Sequence, residues 1–378
     1  MPQDEYRWPC AQCGAQLRYA PSQTSLTCDQ CGHVQDITPD RPRARAKALQ
    51  ELDLAAGLRD DLGSSQMVEL RTTSCPNCGA MVEVTGATHA TECPFCDTPV
   101  VLDTGTRRHI KPQALVPFVL TEAEARKAMI GWMGSLWLAP GTLLEYARKG
   151  RALTGIYVPF WTFDSDTSSR YSGERGEYYY ETRTVQVRVN GRMESRQERV
   201  RHTRWFSTSG RVSRDFDDEL VMASRSLPER LGNELTPWDL GALTGYTPEF
   251  LAGFQAEGYT VPLADGHDEA RARMSNVIRE DVRRDIGGDE QRIHDVDTDW
   301  SDESFKHILL PIWMAAYKYG GKSYRFLVNG QTGEVQGERP WSVWKIAALV
   351  IFVAILILGG VYLSDPEALN LPRPDWMN

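Results

Sequence analysis

The feature that most constrains this chain is a set of eight cysteines, all within the first hundred residues and all in Cys-x-x-Cys pairs. Fourteen residues separate the two pairs of each unit, and a glycine follows three of the four pairs. Two such pairs place four thiolates around one tetrahedral ion, which is the zinc-ribbon pattern. We predict two zinc ribbons, each with one structural Zn²⁺, whose ligands are Cys10, Cys13, Cys28 and Cys31 in one and Cys75, Cys78, Cys93 and Cys96 in the other.

A site made of four thiolates is closed, so it leaves no position for an activated water. Units this small cannot bury enough apolar surface to fold alone, and metal binding would supply much of their folding free energy. Iron in a rubredoxin-like site is the alternative that the ligands leave open. Redox chemistry is less favoured, because four pairs at matched spacing are best explained together. No cysteine remains for catalysis.

A second feature is an uncharged stretch, Ile346 to Leu363, of eighteen residues. As a helix it is roughly 27 Å long, close to the thickness of a membrane core. We predict a transmembrane helix at 341–363. Arg339 and Lys345 precede it and a mostly acidic tail follows, so the positive-inside tendency predicts a cytoplasmic N-terminus and a short external tail at 364–378. The expected location is the inner (cytoplasmic) membrane, with a single pass.

The remaining chain predicts an α+β protein. Residues 1–38 and 67–105 are the ribbons, and an apolar stripe that includes Leu49 and Leu52 predicts a helical linker at 39–66. From 106 to 340 a helix followed by an apolar strand occurs twice. The first helix begins with a Thr121–Glu124 capping box, and the second has one apolar face that contains Ala270, Met274, Val277, Ile278 and Val282.

The two halves of 106–340 also share sequence details. Pro159 and Trp161 match Pro311 and Trp313, and each half contains Asn-Gly, at 190–191 and at 329–330, which is typical of a type I′ hairpin turn. We therefore predict a duplicated helix-plus-β-hairpin body at 106–340.

The distribution of charge along the chain helps to distinguish between its possible binding partners. The chain has a net charge of −9, and residues 1–110 have ten basic against fourteen acidic residues, which argues against nucleic acid. The segment from Arg170 to Arg214, however, contains eleven arginines and only five glutamates, with aromatic residues between them. This region could bind anionic lipid, an acidic protein or nucleic acid, or it could be a solvated outer sheet face.

No catalytic motif is legible, and we predict that the chain is not an enzyme. Gly320-Gly321-Lys322-Ser323 resembles the end of a P-loop, but Ala316 stands where its first glycine belongs, and a hairpin turn is the better interpretation. The seven histidines form no close pair. The acidic group of Asp215, Asp217, Asp218 and Glu219 is interpreted as a loop or helix start rather than a metal site.

Two ribbons, the segments LTGIYVPFWTFD and LVNGQTGEVQGERP, and the terminal apolar stretch together resemble a bacterial family of membrane-anchored TFIIB-type zinc-ribbon proteins. The resemblance spans nearly the whole chain. It implies protein partners of the SPFH (flotillin-like) or PspA-type membrane-stress proteins. Some relatives carry the name primosomal protein N′ or replication factor Y, a helicase, whereas this chain has no Walker A motif.

These observations lead to one main hypothesis and one rival. The main hypothesis is a non-enzymatic, membrane-anchored zinc-ribbon scaffold that recruits or organises protein partners at the cytoplasmic membrane face. The rival is a nucleic-acid-binding accessory factor in replication or transcription. Only the rival predicts binding that weakens steeply with salt.

Overall fold

The computed structural model describes residues 8–23, 25–37, 49–77, 79–83, 90–93, 95, 99–101, 105–137, 153–189, 192–319, 322–339 and 342–364. The helices in this part of the chain are α1 (Leu54–Leu58), α2 (Glu122–Ser135), α3 (Glu229–Glu234), α4 (Leu263–Ile286) and α5 (Val343–Ser364). The strands are β1 (Leu17–Ala20), β2 (Ser25–Cys28), β3 (Val34–Asp36), β4 (Leu52–Asp53), β5 (Met67–Ser74), β6 (Met81–Glu83), β7 (Ala90–Glu92), β8 (Pro99–Val101), β9 (Gly105–Ile110), β10 (Ala114–Leu115), β11 (Thr154–Val189), β12 (Arg192–Met222), β13 (Thr244–Gly245), β14 (Gln255–Ala256), β15 (Glu290–Tyr319), β16 (Lys322–Asn329) and β17 (Val335–Gly337).

One sheet organises the body. Its order is β12-β11-β15-β10-β13, with β4, β14, β16 and β17 pairing beside this path. The strands β11, β12 and β15 contain 36, 31 and 30 residues, whereas strands in globular proteins usually have three to ten. The antiparallel ladder between β11 and β15 runs from Thr154 opposite Met314 to Gly176 opposite Glu290. The fold is therefore built on an unusually long, narrow ladder.

This architecture contradicts the predicted α+β fold class with a duplicated helix-plus-hairpin body. The described chain is mostly β, and the two predicted halves do not form separate units, because β11 of the first half pairs with β15 of the second along most of its length. The similar segments around Pro159 and Pro311 are neighbouring strands of one sheet. Both segments are buried strands, and Trp161 and Trp313 are 0% and 6% exposed in two different apolar clusters.

The structure also contradicts the predicted transmembrane helix at 341–363, and with it the single-pass location in the inner membrane. A helix must be both long and apolar enough to cross the hydrocarbon core. Within the residues that the structure describes, no helix meets both conditions.

The predicted helical linker is only partly helical. Leu52 lies in β4, opposite Phe305 of β15, and the helix α1 covers only Leu54–Leu58. Residues 39–48 of the predicted linker lie outside the described residues. Leu52 lies in a strand rather than a helix because pairing with β15 gives it backbone hydrogen-bond partners and buries its side chain.

The two longer helices of the body begin and pack as their sequences indicate. At α2 the Thr121 hydroxyl and the Glu124 carboxylate form the predicted reciprocal capping box. Helix α4 packs on β11, β12 and β15 through its apolar face, whereas Val277 is 37% exposed. The buried residues of that face are Ala270, Met274, Ile278, Val282 and Ile286.

Candidate functional site

The first four cysteines converge on one point. The Sγ atoms of Cys10 and Cys31 are 3.5 Å apart, as are those of Cys13 and Cys28, and all four lie within 4.8 Å of one another. Four thiolates around a tetrahedral Zn²⁺ have Sγ atoms separated by about 3.8 Å, given Zn–S bonds of about 2.3 Å. The donor set and its spacing therefore fit a zinc ion, which the four sulfurs would enclose.

The backbone of each turn explains why the thiols converge. The N–H of Gly14 donates to the carbonyl of Cys10, and the N–H of Gly32 donates to that of Cys28, each at 2.9 Å. Both glycines have φ near +70°, which residues with a Cβ adopt at a cost. The second unit repeats this turn, because the N–H of Gly79 donates to the carbonyl of Cys75 at 2.9 Å and Gly79 has φ +74°.

The second cysteine unit is described only in part. Cys75 and Cys93 are each 1% exposed, and Cys78 and Cys96 lie outside the described residues. The structure thus brings together one complete set of predicted ligands, and the second site stays a prediction.

The turn amides also affect the pKa values of the thiols in the first site. The backbone N–H of Cys31 is the largest influence on the Cys28 thiol, and it helps to lower the pKa of Cys28 to about 7. Cys31 differs, because against the effect of the His33 N–H the hydrogen bond with the Cys13 thiol and burial raise its pKa to about 12. The turn amides therefore favour the metal-binding thiolate at Cys28 but not at every ligand.

The first ribbon is fixed to the body rather than tethered to it. The N–H of Tyr19 in β1 donates to the carbonyl of Ala252 at 2.9 Å, and the Tyr19 ring meets Phe250 edge-on at 5.3 Å. Tyr19, Cys10 and Cys28 belong to the same buried cluster as Tyr157 of β11. Metal binding and packing of this end of the body are therefore connected.

The acidic group at 215–219 was interpreted as a loop or helix start, but it lies within strand β12. Two of its members join a charged cluster that the sequence did not predict. At the point where β11 has irregular register with both neighbours, carboxylate oxygens of Asp164, Asp217 and Asp218 lie within 4.8 Å of one another. Lys306 of β15, which is 5% exposed, places Nζ 2.9 Å from Asp218 and 3.6 Å from Asp164, and 3.0 Å from Glu51. The ammonium group thus supplies the positive charge that a metal would otherwise bring.

The environment shifts the pKa of both partners in this group. Burial raises the pKa of Asp164 to about 6, against the opposing effects of the Asp218 N–H and Lys306. Burial opposes the charge of Lys306, but hydrogen bonding to Asp218 and the nearby carboxylates raise its pKa above the usual value. The arrangement is a buried ion cluster that holds a lysine charged, which is unsuited to base catalysis by that lysine.

A small cavity lies where the second unit meets the body. It has a volume of about 50 Å³ and is lined by residues that include Val68, His109, Glu257, Tyr259 and His307. The Nδ1 of His307 lies 2.8 Å from the Ile110 carbonyl, and burial lowers the pKa of His307 to about 4. The ring is therefore neutral, with the proton assigned to Nδ1. A cavity of this size holds a few waters, whereas ligand pockets usually measure 300–1,000 Å³.

The arginine-rich region forms a two-stranded arm. Pairing between β11 and β15 ends at Gly176, but β11 and β12 continue together from Glu177 opposite Arg204 to Val189 opposite Arg192. Arginines stack on aromatic rings along it: the guanidinium carbon of Arg201 lies 4.2 Å from the Tyr178 centroid, and that of Arg199 lies 4.7 Å from Tyr180. Asn190 and Gly191, the predicted turn, lie outside the described residues.

The comparisons with known proteins identify one similar chain. It is the uncharacterized protein YdjG of Bacillus subtilis (strain 168), which is 27% identical over 362 residues, or 94% of this chain and 95% of that protein. No family model matches, and no solved structure matches.

Proposed function

We propose that the protein is a non-enzymatic scaffold that holds protein partners at two separated surfaces, one on the zinc ribbon and one on the arm. The observation that carries this proposal is the length of the ladder between them. Tyr157, which packs with the ribbon, and Tyr178, at the start of the arm, are 21 residues apart on one continuous strand, or about 70 Å at the usual rise per residue. A ladder of this kind acts as a spacer.

The chemistry of the buried groups supports a scaffold over an enzyme. The four thiolates would close around Zn²⁺, and the Asp164 cluster is neutralised by Lys306. In our proposal the second cysteine unit also binds one structural Zn²⁺, since Cys75 has the same turn as the ribbon ligands.

The ribbon offers a docking strand at its outer edge. All three residues of β3 are exposed, Val34 is 51% exposed, and β3 is the last strand of its three-stranded sheet. An exposed edge strand presents unpaired backbone groups to which a partner strand can add. The resemblance to TFIIB-type zinc-ribbon proteins suggests SPFH-type or PspA-type proteins as the partners.

Affinity capture with three variants tests the proposal. We expect purified SPFH-type or PspA-type partner to be retained by the wild type, and to be lost from Val34→Glu or from a variant in which residues 178–203 are replaced by Asn-Gly. The matched control is Val277→Glu on α4, which introduces the same charge at an exposed valine of another surface. Capture that survives both the ribbon change and the shortened arm would refute the scaffold.

A further inference from the structure

The arm has two chemically different faces. Opposed residues of antiparallel strands share a face, so the register divides the described side chains of 177–186 and 195–204 into two sets. Contacts agree with the register: Gln186 bonds to Ser195 on one face, and the Tyr179 and His202 rings stack on the other.

All the acidic residues of these segments lie on one face. That face, which we call the mixed face, has three glutamates, three arginines and one histidine: Glu177, Glu181, Glu198, Arg183, Arg196, Arg204 and His202. The other, the acid-free face, has two arginines and no carboxylate among its described side chains, which are Tyr178, Tyr180, Thr182, Thr184, Gln186, Ser195, Gln197, Arg199, Arg201 and Thr203. The three arginines of the mixed face are balanced by its three glutamates, so the net positive charge of the described arm lies on the acid-free face.

The acid-free face is bounded in length. The same side of the ladder, nearer the body, has five exposed aspartates and three exposed arginines: Asp166, Asp215, Asp295, Asp297, Asp299, Arg170, Arg211 and Arg292. A polyanion longer than the arm would meet these aspartates and be repelled. The ten described residue pairs of the arm span about 33 Å, which matches an extended segment of about ten residues.

The described chain covers only the start of the arm, where the N–H and the hydroxyl of Tyr178 donate to Asp289 at 2.7 Å and to Glu290 at 2.8 Å. Helix α4 ends at Ile286, beside Gly173, and β15 begins only at the level of Gly176, so beyond that level no further described strand pairs with β11 or β12. An isolated hairpin is marginal in water, and both of its edges are open to another strand. The stacking of Arg199 and Arg201 on tyrosines nevertheless holds their charges in place.

We propose that the acid-free face of the arm binds a short, extended, acidic protein segment with carboxylates at alternate positions. This rests on the proposed function, for which it specifies the partner of the arm. Arg199 and Arg201 are two residues apart on β12, so their side chains are spaced by about 6.6 Å, and alternate side chains of a partner strand have the same spacing. The open edges supply backbone hydrogen bonds, and the two arginines select acidic side chains.

The test measures binding of a labelled peptide to the full-length protein. The probe is Thr-Glu-Val-Glu-Thr-Glu-Val-Glu-Thr, compared with the same peptide in which Gln replaces Glu. We expect Arg199→Gln/Arg201→Gln to weaken binding of the acidic peptide about tenfold, since partly exposed ion pairs each contribute modestly. Binding of the neutral peptide should change little. The matched control is Arg196→Gln/Arg204→Gln, which makes the same charge change on the mixed face. It should weaken binding of the acidic peptide by less than about threefold. Arg199→Lys/Arg201→Lys, which keeps the charge, should retain most of the affinity.

Each other result overturns the proposal. Equal losses in the two arginine pairs would show non-specific charge attraction. Tighter binding of a ten-residue oligothymidylate than of the acidic peptide would assign the arm to nucleic acid, and self-association that depends on Arg199 and Arg201 would assign it to a second copy. If shortening the arm abolishes partner capture while Arg199→Gln/Arg201→Gln does not, the scaffold stands and the acidic-segment proposal fails.

Discussion

Replacing Asp164 by Asn should stabilise the fold at pH 8, although it removes a charged residue from an ion cluster. The Asp164 side chain is 12% exposed, and its Oδ1 accepts the Asp218 N–H at 2.6 Å, a bond that an Asn oxygen can keep. Burial raises its pKa to about 6 despite Lys306 nearby. The protein therefore favours the neutral form of this group more than the unfolded chain does.

The magnitude follows from the pKa difference between the two states. A rise from 3.8 to about 6, at about 1.4 kcal/mol per pKa unit, gives about 3 kcal/mol, which we halve to about 1.5 kcal/mol for residual solvent screening. The contribution of protonated Asp164 is complete below pH 3.8 and is lost as the pH rises through about 6. The gain from Asn should thus be about 1.5 kcal/mol at pH 8 and about half of that at pH 5.

Urea unfolding of wild type and variant at pH 8 and pH 5, in the same zinc buffer, measures this difference. Asp166→Asn is the matched control, because Asp166 is an exposed aspartate two residues along β11, and it should change the free energy of unfolding by less than 0.5 kcal/mol. Destabilisation by Asp164→Asn at pH 8, or a gain that does not shrink at pH 5, would refute the reasoning.

Three further predictions address other parts of the molecule. Cys28→Ser and Cys75→Ser should each lower the zinc content from two equivalents to one in a colorimetric assay, and a wild type with a single equivalent that Cys75→Ser leaves intact would contradict the second site. Gly155→Ala should destabilise by about 1–3 kcal/mol in thermal unfolding, because its Cβ would lie 2.4 Å from the partly buried ring of Phe254, whereas Gly131→Ala, in open space on α2, should stabilise slightly. His307 should stay neutral to about pH 5 by NMR, so that about 3 kcal/mol of stability present above pH 6.5 is lost as the pH falls toward 4; titration near pH 6.5 would contradict its burial.

The features that sequence reasoning predicted are those set by local chemistry. The ribbon thiols converge because the turn glycines and the Cys-x-x-Cys spacing specify the turn, and the start of α2 follows from Thr121 and Glu124. Val277 was assigned to the buried face of α4 but lies at its margin, 37% exposed. The spacing of apolar residues predicts which face of a helix is buried. It does not predict as well how wide that face is.

The features that sequence reasoning missed depend on contacts between residues far apart in the chain. Nothing local marks Lys306 as special, because its partners Glu51, Asp164 and Asp218 are more than eighty residues distant. Asn329 was predicted to form a two-residue turn, yet its side-chain amide donates to the carbonyls of Leu235 and Pro237, each at 3.1 Å. The turn between β16 and β17 is longer because Asn329 is needed for that buried connection.

The length of β11 is the most informative of these surprises, since it relates the metal site to the arm. Helix α4 and strand β15 support the ladder only as far as Gly176, so the arm receives none of its packing from the ribbon. Metal loss should therefore loosen the ribbon and the cluster around Tyr157 while the arm keeps its register. In our proposal, the scaffold can therefore lose one partner without releasing the other. The many charged residues along β11 obscured its length in the sequence. On an exposed ladder such charges oppose non-specific pairing of strand edges.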